Sequence, residues 1–239
     1  MGEVLNGGDR KPLIPVLWPW RGQNGKLLRP YEILSTRTFS LAYISGIILI
    51  WYFLGFGHWL ARYGGIWPDK MFTATHEYLL SFITSPFFHA DPPHIFYVVT
   101  TFIVFCQSFE ARAGSKETAT LFFSTIAFTG LTIGLFMNVG NWLWPDTELF
   151  SSPMERVWIG GSVGFMGILG AMSHQSRVKW LVPSIIVLFE IWNRYGNGIS
   201  GYITLGHFSS ALFGFLAWGW YLSNTQKLDY IEYETSGPK

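Results

Sequence analysis

The chain has 239 residues, of which 49% are hydrophobic, 18% aromatic and only 13% charged, with a net charge of +1. That composition and a mean hydropathy of +0.27 belong to the membrane class. They exclude nucleic acid as the main partner, because binding phosphates requires clustered Lys and Arg in excess. Residues 1–36 are polar and proline-rich with no apolar run near Met1, so no cleavable signal peptide is expected. The single cysteine, Cys106, lies in an apolar run and reads as an inert packing residue.

Six apolar stretches follow in chain order, over residues 39–60, 94–109, 118–137, 157–173, 180–192 and 202–222. The first is long enough to cross a bilayer unaided, at roughly 20 residues per crossing. The fourth and fifth are short, which predicts helices that begin below the membrane surface under the cover of their neighbours. Between the first and second lies an aromatic segment, residues 61–93, suited to lying in the interface. The expected architecture is an all-α membrane protein with six transmembrane helices over residues 39–223. A cytoplasmic N-terminal segment (1–38) and a cytoplasmic tail (224–239) flank it.

The basic residues orient this arrangement. Arg10, Lys11, Arg21, Lys26, Arg29 and Arg37 precede the first stretch, Arg112 and Lys116 follow the second, Arg177 and Lys179 the fourth, and Lys227 and Lys239 the sixth. The opposite loops hold only Arg62, Lys70, Arg156 and Arg194. By the positive-inside rule both termini are cytoplasmic, and the second, fourth and sixth helices enter from outside. His94 then opens its helix, while Ser162 and His207 each lie about five residues in, roughly 8 Å at helical rise. Three polar residues of catalytic type share one shallow depth, and polar groups in such helices face protein and mark candidate sites.

Small residues surround two of them. Gly160, Gly161, Gly164, Gly167 and Gly170 frame Ser162, and Gly206, Ser210 and Gly214 follow or flank His207 at intervals of four. Such spacings let helix backbones approach closely. A lone serine in a membrane helix usually bonds its own backbone. A histidine at matching depth on another small-residue face favours a nucleophile and its base instead, with the hydroxyl about 3 to 4 Å from a ring nitrogen.

These residues resemble the rhomboid intramembrane serine proteases from about Glu77 to Trp218. The family's Gly-x-Ser-Gly motif with later glycines is similar to Gly160-Gly161-Ser162 followed by Gly167 and Gly170. Its sixth-helix histidine with a small-residue face resembles His207, Ser210 and Gly214. Its paired histidines at the second helix resemble His89 and His94, and its Glu-x-Arg-x-Gly-Ser turn resembles Glu110 to Ser115. The resemblance implies a six-helix rhomboid-like bundle and a Ser162–His207 dyad, with His94 and the backbone at Gly160 and Gly161 stabilising the oxyanion. It implies substrates that are transmembrane helices of other membrane proteins, and no cofactor or metal. Three positions depart from the family. Val98 stands where an oxyanion Asn is usual, Val163 where the motif glycine is usual, and Leu80-Ser81 where a Trp-Arg pair is usual. Val98, one turn after His94, is expected to face the oxyanion site and leave it one donor short. The alternative is a weak or inactive rhomboid-like protein that binds transmembrane clients.

Other chemistries fit less well. His76-Glu77 begins a zinc-protease pattern whose second ligand position is Leu80, and Pro92-Pro93 breaks any helical array of His89, Asp91 and His94. The six stretches contain no aspartate, which disfavours an aspartyl protease, and the shallow polar cluster disfavours a transporter with a midplane site. Glu190, near Asn193 and Arg194, reads as a solvated or locally paired charge. His58 and His174 read as interfacial, and Glu110 and Arg112 as capping or pairing groups.

Overall fold

The computed structural model describes residues 12–55 and 63–225. Among them the chain is helical, and its only β pairing consists of isolated bridges such as Ile66 with Trp158. A short α1 (Pro30–Thr36) meets α2 (Thr38–Leu54) at 91°. The aromatic segment forms α3 (Lys70–Thr73), α4 (Thr75–Thr84) and a 3-10 turn over Ser85–Phe87. Then come α5 (Pro92–Ala113) and α6 (Ser115–Leu143). The chain continues through α7 (Glu148–Met154), α8 (Ser162–Met172), α9 (Leu181–Gly196) and α10 (Gly201–Asn224).

Each of the six apolar stretches contains a helix, from α2 through α5, α6, α8 and α9 to α10, although α8 starts only at Ser162, which therefore opens its helix and does not lie five residues in, and residues 56–60 of the first stretch, with His58, lie outside the described residues. Among the described residues α5 and α6 are long and apolar enough to cross a membrane, and the bent pair α1–α2 makes a third if it counts as one span. The helices place the chain in a membrane. They do not by length alone give six crossings, because α8 has 11 residues and extends only about 16 Å at 1.5 Å per residue. It survives there as the centre of the bundle: Gly164 to Ile168 and Gly170 to Met172 are all buried. A helix apolar on all sides belongs in a protein interior.

Local chemistry sets the helix ends. The Asp91 carboxylate accepts from the His94 amide at 2.8 Å, and Pro92 and Pro93 occupy the first turn, where no backbone donor is needed. The middle of α5, Phe102–Cys106, is a π turn. Gly114, at φ +98°, lets the chain leave α5 and start α6 at once. Here Glu110 is indeed a cap. Its buried carboxylate accepts from the amides of Phe39 (2.6 Å) and Ser40 (2.8 Å) at the start of α2, and from the Ser115 hydroxyl at 2.6 Å. Arg37, only 2% exposed, donates to Gln107 Oε1 (2.6 Å), Thr36 Oγ1 (2.7 Å) and the Arg21 carbonyl (2.8 Å).

An extended strap before α1 crosses the same end of the bundle. The Pro12 carbonyl accepts from the Arg177 amide, Leu13 from the Ser176 hydroxyl, Pro15 from Arg112 and Leu17 from Gln107. Nothing in the sequence pattern of residues 12–29 announced this docking, because these four bonds are made by strap backbone; the Gln23 side chain adds one to the Ala111 carbonyl at 2.8 Å.

Two helices approach more closely than the rest. A Cβ at Gly214 of α10 would overlap the backbone of Gly167 of α8, and one at Gly170 would overlap the carbonyl of Ala211. Gly206 and Ser210 do not share that seam. Ser210 lies against α6, within 2.9 Å of Thr129 Oγ1, and also donates to the Gly206 carbonyl. Gly214→Ala should therefore lower stability by about 1 to 3 kcal/mol through overpacking. Gly206→Ala, where the nearest atom is 3.9 Å from the added carbon, should change it far less. Thermal unfolding of the two detergent-solubilised variants reads the difference.

Candidate active site

The loop before α8 determines where Ser162 points. Ile66 and Trp158 exchange backbone hydrogen bonds of 2.9 and 2.8 Å, which moors residues 157–161 to the segment before α3. The Gly160 amide then donates to the Ser85 carbonyl at 2.9 Å, and Gly160 adopts φ +98°. Any side chain at 160 would collide with the His94 ring, and one at 161 with the Tyr43 hydroxyl. Both glycines act by leaving room. This corrects the expectation that Gly160 supplies an oxyanion donor, because its amide is already engaged; a side chain at Gly161 would meet Tyr43 and Phe122.

Ser162 is the first residue of α8, and the first intrahelical bond of that turn runs from the Phe165 amide to the Gly161 carbonyl. The amides of Ser162, Val163 and Gly164 precede the ladder, as the first donors of any helix do. On α10, His207 is 6% exposed and lies one turn before Ala211 and two before Gly214, on the face pressed against α8. The close seam brings the pair together. The Ser162 hydroxyl lies 3.2 Å from His207 Nε2, inside the range expected from the sequence.

The other ring nitrogen has a partner that the sequence reading missed. His207 Nδ1 is 2.8 Å from Glu190 Oε1, and Glu190 is fully buried. Glu190 is thus not a solvated charge near the end of α9. It belongs to the inward face of that helix with Val182, Ile186 and Asn193. The signal was present in the spacing, because 182, 186, 190 and 193 form one helical stripe and Glu190 interrupts its apolar part.

Ser162, His207 and His94 line one cavity of about 530 Å3, together with Tyr97, Val163 and Asn193. All three residues singled out for their common depth meet there. His94 is flanked by the buried His89 ring, with centroids 4.8 Å apart, and neither nitrogen of His89 has a hydrogen-bond partner. Burial and the neighbouring His94 push His89 down to about 4, which keeps it neutral at neutral pH. His174 is not merely interfacial: its Nε2 is 2.9 Å from the Phe215 carbonyl and its ring stacks on Phe215.

Val98 departs from the expectation made for it. It is 1% exposed, belongs to the main apolar core and does not line the cavity, whereas Tyr97 does.

With this geometry in hand, comparison with known proteins is specific. The family model of the Rhomboid domain matches residues 76–225. The chain belongs to the rhomboid family. No curated protein and no solved structure matches it.

The position of Val98 makes a prediction opposite in sense to a missing oxyanion donor. Val98→Asn should bury an amide without partners and lower stability by about 1 to 3 kcal/mol. Unfolding of the purified variant in detergent checks this, and unchanged stability would show that the amide finds a partner at this site.

Proposed function

We propose that this protein is an intramembrane serine endopeptidase in which Ser162 is the nucleophile and His207 its general base. The observation that carries the reading is the 3.2 Å contact between the Ser162 hydroxyl and His207 Nε2 inside a shared cavity. Membership of a family whose members are usually intramembrane proteases supports it. In the proposed reaction His207 accepts the hydroxyl proton as Ser162 attacks a peptide carbonyl, and then delivers that proton to the leaving amine. The amides of Ser162 and Val163 and the positive end of α8 stabilise the developing oxyanion, with His94 on the far side of Gly160 as a further donor. Water, deprotonated by His207, releases the acyl group.

The substrates we assign to this site are transmembrane helices of other membrane proteins, cut where a helix end unwinds near the outer face. The distribution of basic residues supports six crossings with both termini cytoplasmic, which opens the cavity to the outside. Crossings of unequal length suit this chemistry, because a short α8 starts below the surface and delivers Ser162 to a depth that water can reach through a cavity.

A fluorophosphonate probe tests the proposal. Ser162 should be labelled in the detergent-solubilised protein, and Ser162→Ala and His207→Ala should each abolish cleavage of a model transmembrane substrate. The double variant should be little worse than either single variant, because the two groups act as one unit. A wild-type protein that takes no label and cleaves nothing would instead be a rhomboid that binds clients without cutting them.

A further inference from the structure

The mechanism above leaves unused a buried ionisable group that touches its general base. Glu190 is 0% exposed, projects from the inward face of α9, and has one hydrogen-bond partner, His207 Nδ1 at 2.8 Å; its second oxygen, Oε2, is buried with none. A carboxyl in such surroundings costs several kcal/mol unless something compensates it. A structural role would be served better by an apolar residue like its stripe neighbours Val182 and Ile186.

We propose that Glu190 completes a Ser162–His207–Glu190 triad, as a positioning residue acting through His207. The inference rests on the protease reading of Ser162 and His207.

Three physical consequences follow from the geometry. First, a proton on Nδ1 donated to Glu190 Oε1 fixes the tautomer, so that Nε2 presents its lone pair to the Ser162 hydroxyl. Second, the 2.8 Å bond holds the ring plane from the side opposite Ser162, so the ring is fixed at both nitrogens. Third, when His207 takes the serine proton it becomes an imidazolium, and the attraction to a carboxylate with no other partner rises at that moment. An interaction stronger in the transition state than in the ground state is what accelerates a reaction. The other titratable groups facing this assembly are His94 and Tyr97 of α5 and Tyr202 of α10, which line the same cavity. Of these groups, only Glu190 lies within hydrogen-bond distance of Nδ1.

The placement also explains why α9 is recruited. Val182 and Ile186 of α9 pack on Met166 of α8, and Glu190, one turn further along the same face, reaches His207 of α10. The carboxylate therefore ties the outer part of α9 to the catalytic ring.

The test compares the full-length protein with Glu190→Gln, Glu190→Asp, His207→Ala and the His207→Ala/Glu190→Gln pair, reading fluorophosphonate labelling of Ser162 and cleavage of a model transmembrane substrate. Glu190→Gln keeps the shape and removes the charge. It should slow labelling and kcat by about 10²- to 10⁴-fold with KM nearly unchanged, as the corresponding amide substitution does in Ser-His-Asp hydrolases. Glu190→Asp should recover part of that loss. In the double variant, Glu190→Gln should add no further loss to His207→Ala, whereas a purely structural carboxylate would give additive losses. Wild-type labelling with Glu190→Gln labelled equally fast, or additive losses in the double variant, would overturn the triad and leave the protease reading intact. A wild type that neither labels nor cleaves would overturn both. If Glu190→Gln does not fold, the decision passes to Glu190→Asp, and an Asp variant as fast as wild type would reject the positioning role.

Discussion

The close approach of α8 and α10 is the constraint on which the rest of the site depends. Gly170 and Gly214 have no Cβ where one would strike the facing backbone, so the two helices lie nearer than ordinary side chains allow. A serine side chain is short and reaches a histidine on another helix only across such a seam. In a bilayer there is no large hydrophobic gain from joining two apolar helices, so packing of this kind must hold them together. The same residues thus serve cohesion and chemistry. Around that seam the apolar interior is closed by aromatic rings, with Tyr43 stacked on Phe102 and meeting Phe122 edge-on.

Polar groups are handled differently at the two ends of the bundle. At the strap end the buried charges are paired: Glu110 with the first amides of α2 and the Ser115 hydroxyl, Arg37 with the Arg21 carbonyl, Gln107 and Thr36. At the cavity end the Glu190 carboxyl is paired at one oxygen and keeps the other empty, and both nitrogens of His89 lack partners. Paired charges hold a scaffold, whereas a group with unused bonding capacity is able to respond to charge that appears during a reaction.

The helices were legible in the sequence because apolar stretches of that length have few alternatives, and the positions of His94, Ser162 and His207 near the ends of those stretches pointed to the three residues that line one cavity. Side-chain direction was less legible. Val98 was placed facing the site by counting one turn from His94, but it is buried in the core, and Tyr97 lines the cavity. Glu190 was misread for a related reason: proximity to Asn193 and Arg194 suggested a solvated end, while the four-residue stripe that includes it points inward. The strap was illegible in principle, since carbonyl groups carry no residue signature. Gly160 and Gly161 were recognised as special, yet the space they leave for His94 and Tyr43 was not foreseen.

The strap also imposes an order on assembly. Leu13 meets Ser176 across 163 residues and Leu17 meets Gln107 across 90. The strap therefore leaves the ribosome well before its partners do and must wait for them. At about 5 to 20 residues per second, roughly 8 to 33 s separate the synthesis of Leu13 from that of Ser176. Through that interval the strap's carbonyls are met by water, and the exposed rings of Trp18 and Trp20, stacked with centroids 5.3 Å apart, are suited to rest at the membrane surface. The strap can thus be fastened to Ser176 and Arg177 once α8 has been made, before α9 and α10 have followed it.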